Sequence, residues 1–316
     1  MKIAALAGGI GGARFLRGLL HQGTHQVSVI ANTGDDLTLH GLRICPDLDT
    51  LMYTLGGGIN EDQGWGRAEE TWSVRAELEA YGAEAPWFGL GDRDVATHLV
   101  RTRMLDAGYT LSQVTGALCE RWRPGVELLP MSDSRVETHV VVDVDGARKA
   151  IHFQEWWLRH RAALPAHGFV QVGASEATAT AEVLEAIAGA DVVLFPPSNP
   201  VVSIGAILSI PGIRDAIRAT PAPVVGLSPV VAGAPVRGMA DACLTAIGVG
   251  TTAHAVGVHY GARRDDGLLD GWLVHTGDTA DVPGVEVRAV PLLMTDTEAA
   301  AAMAAAALDL AEQVRR

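Results

Sequence analysis

The sequence has 316 residues, of which 48% are apolar and 19% are charged, and its formal net charge is −13. This apolar content excludes a disordered chain, and the length is sufficient for one large domain or two. Because the net charge is strongly negative and no basic block interrupts it, nucleic acid is excluded as an expected partner.

Three cysteines, Cys45, Cys119 and Cys243, are far apart, and no CxxC motif occurs. This spacing predicts neither a disulfide framework nor a zinc site. No apolar run reaches the length of a membrane span, and the N-terminus lacks a signal-peptide pattern. We therefore expect a cytoplasmic protein without a membrane partner.

The chain begins with a predicted strand, Lys2 to Ala7, a run of glycines and a predicted helix from Ala13 to Leu20. Glycines let backbone N–H groups approach an anion, and a helix N-terminus favours its negative charge. This order predicts a nucleotide-binding loop. The glycines concerned are Gly8, Gly9, Gly11 and Gly12.

The glycine loop differs from two well-known nucleotide motifs. It has no Lys-Ser/Thr pair, so a Walker-type NTPase is not expected. Arg14 occupies the third glycine position of a dinucleotide-binding loop, and the second predicted strand ends at Asn32 instead of an acid. A dehydrogenase is therefore not expected either.

Carboxylates are concentrated between Asn32 and Thr50, directly after the apolar run from Val27 to Ala31. Loops at the carboxyl ends of strands are where open α/β sheets bind ligands. Carboxylates in such a loop suit a hard cation, or a hydroxyl group that must lose its proton. A solvated loop that caps the following helix is the alternative. The four acids are Asp35, Asp36, Asp47 and Asp49.

The next segments alternate between predicted helices and a turn rich in glycine. A helix is predicted from Glu61 to Gly82 and another from Val95 to Leu105. Trp87 and Phe88 stand on the turn between them and could form a platform for a flat ring. Asp92 and Asp94 could each cap the following helix or bind a ligand.

An Asp-Gly pair at residues 145–146 separates two alternating segments, Val136 to Val144 and Ala150 to Phe153, and predicts a β-hairpin. Alternation of strands and helices resumes at Ala179 and continues to a closing helix, Thr297 to Val314. The predicted fold is therefore a single α/β domain with a doubly wound, mainly parallel, Rossmann-like sheet. Residues 1–60 and 173–316 form its core, and residues 61–172 form a helical plus β-hairpin insertion.

Together these motifs resemble the 2-phospho-L-lactate transferase family, in order and over most of the chain. The resemblance rests on Ala7 to Gly12, Asn32-Thr33, Pro46-Asp47-Leu48-Asp49-Thr50, Leu90-Gly91-Asp92-Arg93-Asp94 with Thr97-His98, Pro130-Met131-Ser132-Asp133, Phe153-Gln154, Pro197-Ser198-Asn199-Pro200 and Ser228-Pro229. One position departs from the family's archetype, which has Lys where this chain has Gly89.

The resemblance implies a transfer reaction of coenzyme F-420 biosynthesis. The donor is a guanosine diphosphate ester of lactate or enolpyruvate, the acceptor is the ribityl 5′-hydroxyl of the deazaflavin Fo, and GMP leaves. Mg²⁺ would bridge the donor's phosphates, with Asp47 and Asp49 as its ligands and as the catalytic residues. Both could reach one cation if the chain is extended there. If it is helical they diverge, and one could bind the metal while the other orients or deprotonates the ribityl hydroxyl, a role that the resemblance favours for Asp49.

The resemblance also implies a division of the site and a homodimer. The acceptor side comprises Asp49, Trp87, Phe88, Gly89, Leu90, Asp92, His98, Ser132 and Asp133. The nucleotide side comprises the four loop glycines with Asn32, Thr33, Ser198, Asn199, Ser228, Gly233 and Arg237. A non-catalytic regulator that binds nucleotide-linked sugars, as in gluconeogenesis factors, shares the glycine loop and is the alternative function.

Overall fold

The computed structural model describes residues 1–23, 25–83, 85 and 87–315. Its strands are β1 (Lys2–Ala7), β2 (Gln26–Ala31), β3 (Leu37–Leu39), β4 (Leu42–Ile44), β5 (Glu127–Pro130), β6 (Glu137–Val144), β7 (Ala147–His152), β8 (Gly168–Val172), β9 (Val192–Phe195), β10 (Val224–Leu227), β11 (Val230–Val231), β12 (Ala234–Pro235), β13 (Gly271–His275) and β14 (Glu286–Val290).

The helices are α1 (Gly9–His21), α2 (Pro46–Leu55), α3 (Ser73–Ala80), α4 (Asp92–Asp106), α5 (Leu111–Trp122), α6 (Ala181–Ala188), α7 (Ile204–Leu208), α8 (Ile213–Ala219), α9 (Ala240–Ala246), α10 (Ala253–Tyr260) and α11 (Thr297–Gln313). A π-helical turn spans Glu155–Arg159, and short 3₁₀ turns span Ala174–Glu176 and Arg263–Asp265. No helix within these described ranges combines the length and the apolar character that crossing a membrane requires.

Seven parallel strands form the central sheet, in the order β14-β13-β10-β9-β1-β2-β5. Side chains alternate between the two faces of each strand, and helices cover both faces of this sheet. In β1, Ile3 and Ala5 pack towards α1, α2 and α11, whereas Ala4 and Leu6 pack towards α6, α8 and α10. The predicted α/β fold with a mainly parallel sheet is confirmed.

A second sheet of three antiparallel strands, β7-β6-β8, lies outside the central sheet. Its β6–β7 hairpin turns at Asp145 and Gly146, which have φ angles of 52° and 74°. Positive φ at both turn residues is what a two-residue hairpin of this kind requires. The predicted hairpin is therefore confirmed.

Two boundaries predicted from the sequence need correction. Strand β5 lies within residues 61–172 but pairs with β2 at the edge of the central sheet, so this segment is not wholly an insertion. The helix predicted from Glu61 to Gly82 is confined to α3, Ser73–Ala80. Gly64 and Gly66 have φ angles of 75° and 68°, which a helix cannot accommodate, and they shape an irregular loop instead.

The strand order reverses its direction around β1, whose neighbours are β2 on one side and β9 on the other. Loops that leave the carboxyl ends of β1 and β9 therefore run apart and open a crevice between them. The glycine loop follows β1, and Pro197-Ser198-Asn199 follows β9. This crevice is where the topology predicts a ligand.

Candidate functional site

The glycine loop packs closely against two neighbouring segments. A Cβ atom on Gly11 would overlap the carbonyl oxygen of Pro197, and one on Gly8 would overlap the Asp47 carboxylate. Gly9 has a φ angle of 61°, which disfavours any other residue. No side chain caps the start of α1, so its first N–H groups remain available to an anion.

Two adjoining cavities open from this loop. The smaller, of about 270 Å³, is lined by Gly8, Gly9 and Gly11 together with the loops after β9 and β10. The larger, of about 860 Å³, extends from Gly9 to the aromatic turn before α4. Asp35 and Arg237 line both cavities, which therefore form one continuous cleft.

The smaller cavity contains several of the predicted nucleotide-binding residues. Ser198, Asn199, Ser228 and Arg237 line it. Arg14 lines it as well, and burial and the nearby Arg237 lower the pKa of its guanidinium from the usual value. Two guanidinium groups and a helix N-terminus at one cavity are suited to a diphosphate.

Asp35 and Asp47 form a buried pair of carboxylates between the two cavities. Asn32 Nδ2 donates to Asp47 Oδ2 at 2.8 Å, and no described residue is a partner for Asp35 Oδ1. Burial and the charge of Asp47 raise the pKa of Asp35 well above its usual range. Burial also raises the pKa of Asp47, to about 6. Two buried carboxylates with this electrostatic conflict would be relieved by a bound cation.

Asp49 faces a different partner because α2 begins at Pro46. Pro at the first position of a helix starts the helical turn there, so Asp47 and Asp49 diverge. Arg101 Nη2 donates to Asp49 Oδ1, and Arg101 Nη1 donates to Asp49 Oδ2 at 3.1 Å. Both carboxylate oxygens are thus paired with one guanidinium, and both side chains are buried.

The guanidinium of Arg101 also fixes the tautomer of the His98 ring. Arg101 Nη1 lies 3.1 Å from His98 Nδ1, and because arginine only donates hydrogen bonds, Nδ1 accepts and the ring proton is on Nε2. Burial lowers the pKa of His98 to about 4, so the ring is neutral at pH 7. His98 lines the larger cavity, and no described residue is a partner for Nε2.

Another carboxylate, Asp94, lies on the wall of the larger cavity. It belongs to the first turn of α4, and the Tyr53 hydroxyl donates to its Oδ1 at 2.8 Å. The Glu70 carboxylate accepts hydrogen bonds from the backbone N–H groups of Arg93 and Asp94, at 2.7 and 3.1 Å, and so fixes this turn.

Aromatic side chains line the far end of the larger cavity. Trp87 and Phe88 meet edge to face, with their ring centroids 6.1 Å apart. Trp65 and Trp157 also line the larger cavity. At Gly89 a Cβ atom would lie 3.4 Å from Arg75 Nη1, so a cationic side chain is present beside the position where the family's archetype has Lys.

Seven predicted site residues line neither cavity. Asn32 holds Asp47, Gly12 allows α1 to pack against Ala7, and Thr33 is buried. The Asp92 carboxylate accepts from the N–H groups of Ser73 and Val74, so it caps α3 and not the helix that follows. The others lie in structural turns: Ser132 donates to the Thr178 carbonyl, Asp133 accepts from Ser112 N–H, and Gly233 is exposed between β11 and β12.

Several residues at the cleft were not assigned to the site by the sequence analysis. They are Arg14, Tyr53, Arg75 and Trp157, which line the cavities, and Arg101, which pairs with Asp49. Only one local signal was available for them: His98 and Arg101 are three residues apart on α4 and therefore share a helix face. The contact of Arg101 with Asp49 spans 52 positions in the chain, and no local pattern indicates it.

A glycine loop at a helix N-terminus, a buried carboxylate pair and an aromatic pocket in one cleft are features of an α/β enzyme. The family model described as 2-phospho-L-lactate transferase CofD matches residues 3–304. The chain therefore belongs to this family, as the motifs predicted.

Curated relatives match over nearly their whole lengths. A protein of Mycolicibacterium smegmatis named phosphoenolpyruvate transferase is 62% identical, with 98% of this chain and 99% of the relative covered. A protein of the same name from Thermobifida fusca is 64% identical, with 100% and 99% covered. The chain is thus a transferase with a role in coenzyme F-420 biosynthesis, and the alternative of a non-catalytic regulator is not supported.

The fold also occurs in a solved structure of more distant sequence. A member of the UPF0052 family from Bacillus halodurans matches with a TM-score of 0.62 and 19% identity, covering 97% of this chain and 99% of that one. At this identity the likeness concerns the fold alone.

Proposed function

We propose that this transferase moves a phosphoenolpyruvyl group from a guanosine diphosphate ester to the ribityl 5′-hydroxyl of Fo, and that GMP leaves. One observation carries the proposal: a single cleft joins a phosphate-binding loop at one end to an aromatic pocket at the other, with carboxylates between them. A nucleotide diphosphate fits the first end and a flat deazaflavin ring fits the second.

The choice of enolpyruvyl over lactyl rests on the relatives. Those at 62–64% identity described above carry the name phosphoenolpyruvate transferase, whereas the family model is named for 2-phospho-L-lactate. We therefore propose enolpyruvate as the preferred acid and treat lactate as the competing substrate to be tested.

Mg²⁺ is proposed at Asp35 and Asp47. Within the part of the chain that the structure describes, no group of three or more His, Cys, Asp or Glu side chains could hold a metal ion. A pair of carboxylates is sufficient, because Mg²⁺ commonly uses one or two carboxylates together with substrate phosphates and water. The unpartnered Asp35 Oδ1 and the raised pKa values of both acids fit a cation here. When bound, Mg²⁺ would neutralise charge on the phosphates.

Asp49 was predicted as a metal ligand together with Asp47, and we propose a different role for it. Its two oxygens already accept hydrogen bonds from Arg101, and a cation there would have to displace the guanidinium. Through Arg101, Asp49 instead positions His98, which lines the larger cavity and whose buried Nε2–H has no partner among the described residues. A neutral N–H donor suits a carbonyl or hydroxyl oxygen of the acceptor.

The acceptor ring is proposed to lie against Trp87 and Phe88, in the cavity that Trp65 and Trp157 also line. Arg75, which lies beside Gly89, could replace the family's Lys at this end of the cavity. On the nucleotide side, Arg14 and Arg237 are proposed to contact the donor's diphosphate. The homodimer and the cytoplasmic location implied by the family remain predictions.

The proposal is tested by incubating the protein with Fo, Mg²⁺ and the guanylated phosphoenolpyruvate ester, and measuring GMP. We expect GMP release only when Fo is present. Release of GMP at an equal rate without Fo would indicate hydrolysis and not transfer, and absence of GMP with either the enolpyruvyl or the lactyl ester would refute the proposal. Quenching of Fo fluorescence measures acceptor binding separately from turnover.

A further inference from the structure

The proposed transfer requires a group that accepts a proton. As the acceptor hydroxyl attacks phosphorus, its proton must leave, and a side chain within hydrogen-bond reach can accept it. That group must lie on the wall of the larger cavity, be ionised near neutral pH and have an oxygen free of other partners. Among the residues that the structure describes, four carboxylates line this cavity: Asp35, Asp47, Asp49 and Asp94.

Three of these carboxylates have other roles. Asp35 and Asp47 are the proposed Mg²⁺ ligands, and Asn32 Nδ2 donates a hydrogen bond to Asp47. Both oxygens of Asp49 are paired with Arg101. A carboxylate held by a guanidinium in this two-point manner is a poor proton acceptor because protonation would break the ion pair.

Asp94 differs from these three in its contacts. Its Oδ1 accepts the Tyr53 hydroxyl hydrogen at 2.8 Å, whereas no described residue donates to its Oδ2. Its backbone is fixed by the Glu70 carboxylate at the first turn of α4. One oxygen thus holds the carboxylate in place, and the other is available to the cavity.

We infer that Asp94 is the general base of the transfer, a step that rests on the proposed function. The proton of the acceptor hydroxyl passes to Asp94 Oδ2, while the hydroxyl oxygen of the acceptor forms a bond to the phosphorus that carries the acid. The bond from this phosphorus to the bridging diphosphate oxygen breaks, and its electron pair leaves with GMP. Tyr53 keeps its proton and positions the base.

The charges around Asp94 suit this role. Burial raises the pKa of Asp94 to about 7, the negative charges of Asp49 and Glu70 act in the same direction, and the Tyr53 hydrogen bond and Arg101 oppose them. Burial also raises the pKa of Tyr53 far above its usual value, so its hydroxyl remains a donor. A base whose pKa is close to the working pH is partly ionised and still accepts a proton effectively.

The test compares pH profiles of kcat and kcat/KM for the wild-type protein, Asp94→Asn and Tyr53→Phe, measured by GMP release. The raised pKa gives the direction: the ionised base is lost as the pH falls, so wild-type activity should fall about tenfold per pH unit below about 7. We expect Asp94→Asn to lose about 10²- to 10⁴-fold in kcat, with a nearly unchanged KM. This variant should also lack the fall in activity at low pH, which is the acid limb of the profile. Tyr53→Phe should move the acid limb to higher pH, because the anion loses its donor.

Asp106→Asn is the matched control, because Asp106 is exposed at the opposite end of the same helix. GDP binding and circular dichroism of Asp94→Asn should match the wild type and so exclude misfolding. Retention of the wild-type acid limb in Asp94→Asn would overturn the inference while leaving the proposed transfer intact. Absence of product from the wild-type protein would instead refute the transfer, and the inference with it.

Discussion

Replacing Asp49 by Asn should destabilise the fold as well as impair activity. The side chains of Asp49 and Arg101 are 7% and 2% exposed, and no described residue is a partner for Arg101 Nε. Removing one partner of a buried ion pair costs about 3–5 kcal/mol. Because the amide oxygen can still accept one of the two hydrogen bonds, we expect the lower end, about 3 kcal/mol.

Urea unfolding of Asp49→Asn measures this loss, with the exposed Asp106→Asn as control. A loss of about 3 kcal/mol corresponds to a fall of about 4–5 °C in Tm for a chain of this size. A double-mutant cycle with Arg101→Leu should return a coupling energy of about 1 kcal/mol or more. A loss below about 0.5 kcal/mol for Asp49→Asn would refute the assigned role of the ion pair. Activity of this variant is informative only when corrected for the folded fraction.

Three further changes test the two ends of the cleft. Gly11→Ala should weaken GDP binding by tenfold or more in calorimetry, because its Cβ atom would overlap the Pro197 carbonyl oxygen. The control is Gly116→Ala in α5, where no atom lies within 4 Å of the added Cβ, and it should leave GDP binding unchanged. Asp47→Asn should raise the Mg²⁺ concentration needed for half-maximal GMP release, and an unchanged requirement would place the cation elsewhere. Arg75→Ala should raise the Kd for Fo in fluorescence quenching without altering the Kd for GDP, and equal effects on both would contradict its placement at the aromatic end.

The parts of the fold that local patterns determine were predictable from the sequence. The apolar run of β1, the Asp145-Gly146 turn and the Ala-rich α11 each carry a signal that neighbouring residues complete. The loop after Glu61 was wrongly predicted as helix because its apolar spacing resembles a helix, while Gly64 and Gly66 adopt positive φ. Membership of β5 in the central sheet depends on a pairing with β2 that only the tertiary structure provides.

In the candidate site, too, some features are indicated by local sequence and others arise only in the tertiary structure. The glycine loop and the acidic stretch were identified because each is continuous in sequence. Pro46 was a readable sign that Asp47 and Asp49 lie on a helix and diverge. In contrast, the contacts of Arg101 with Asp49 and of Tyr53 with Asp94 join α2 to α4. The raised pKa of Asp94 and the lowered pKa of His98 arise mainly from burial between these helices, which the sequence alone does not specify.

Mass spectrometry of the deazaflavin product tests the central claim most directly. The wild-type protein would be supplied with Fo, Mg²⁺ and an equimolar mixture of the enolpyruvyl and lactyl guanosine diphosphate esters. We predict a product with the mass of Fo joined through phosphate to enolpyruvate, in excess over the lactyl product that is heavier by one pair of hydrogens. A predominant lactyl product would contradict the proposed donor, and recovery of unmodified Fo alone would contradict the transfer.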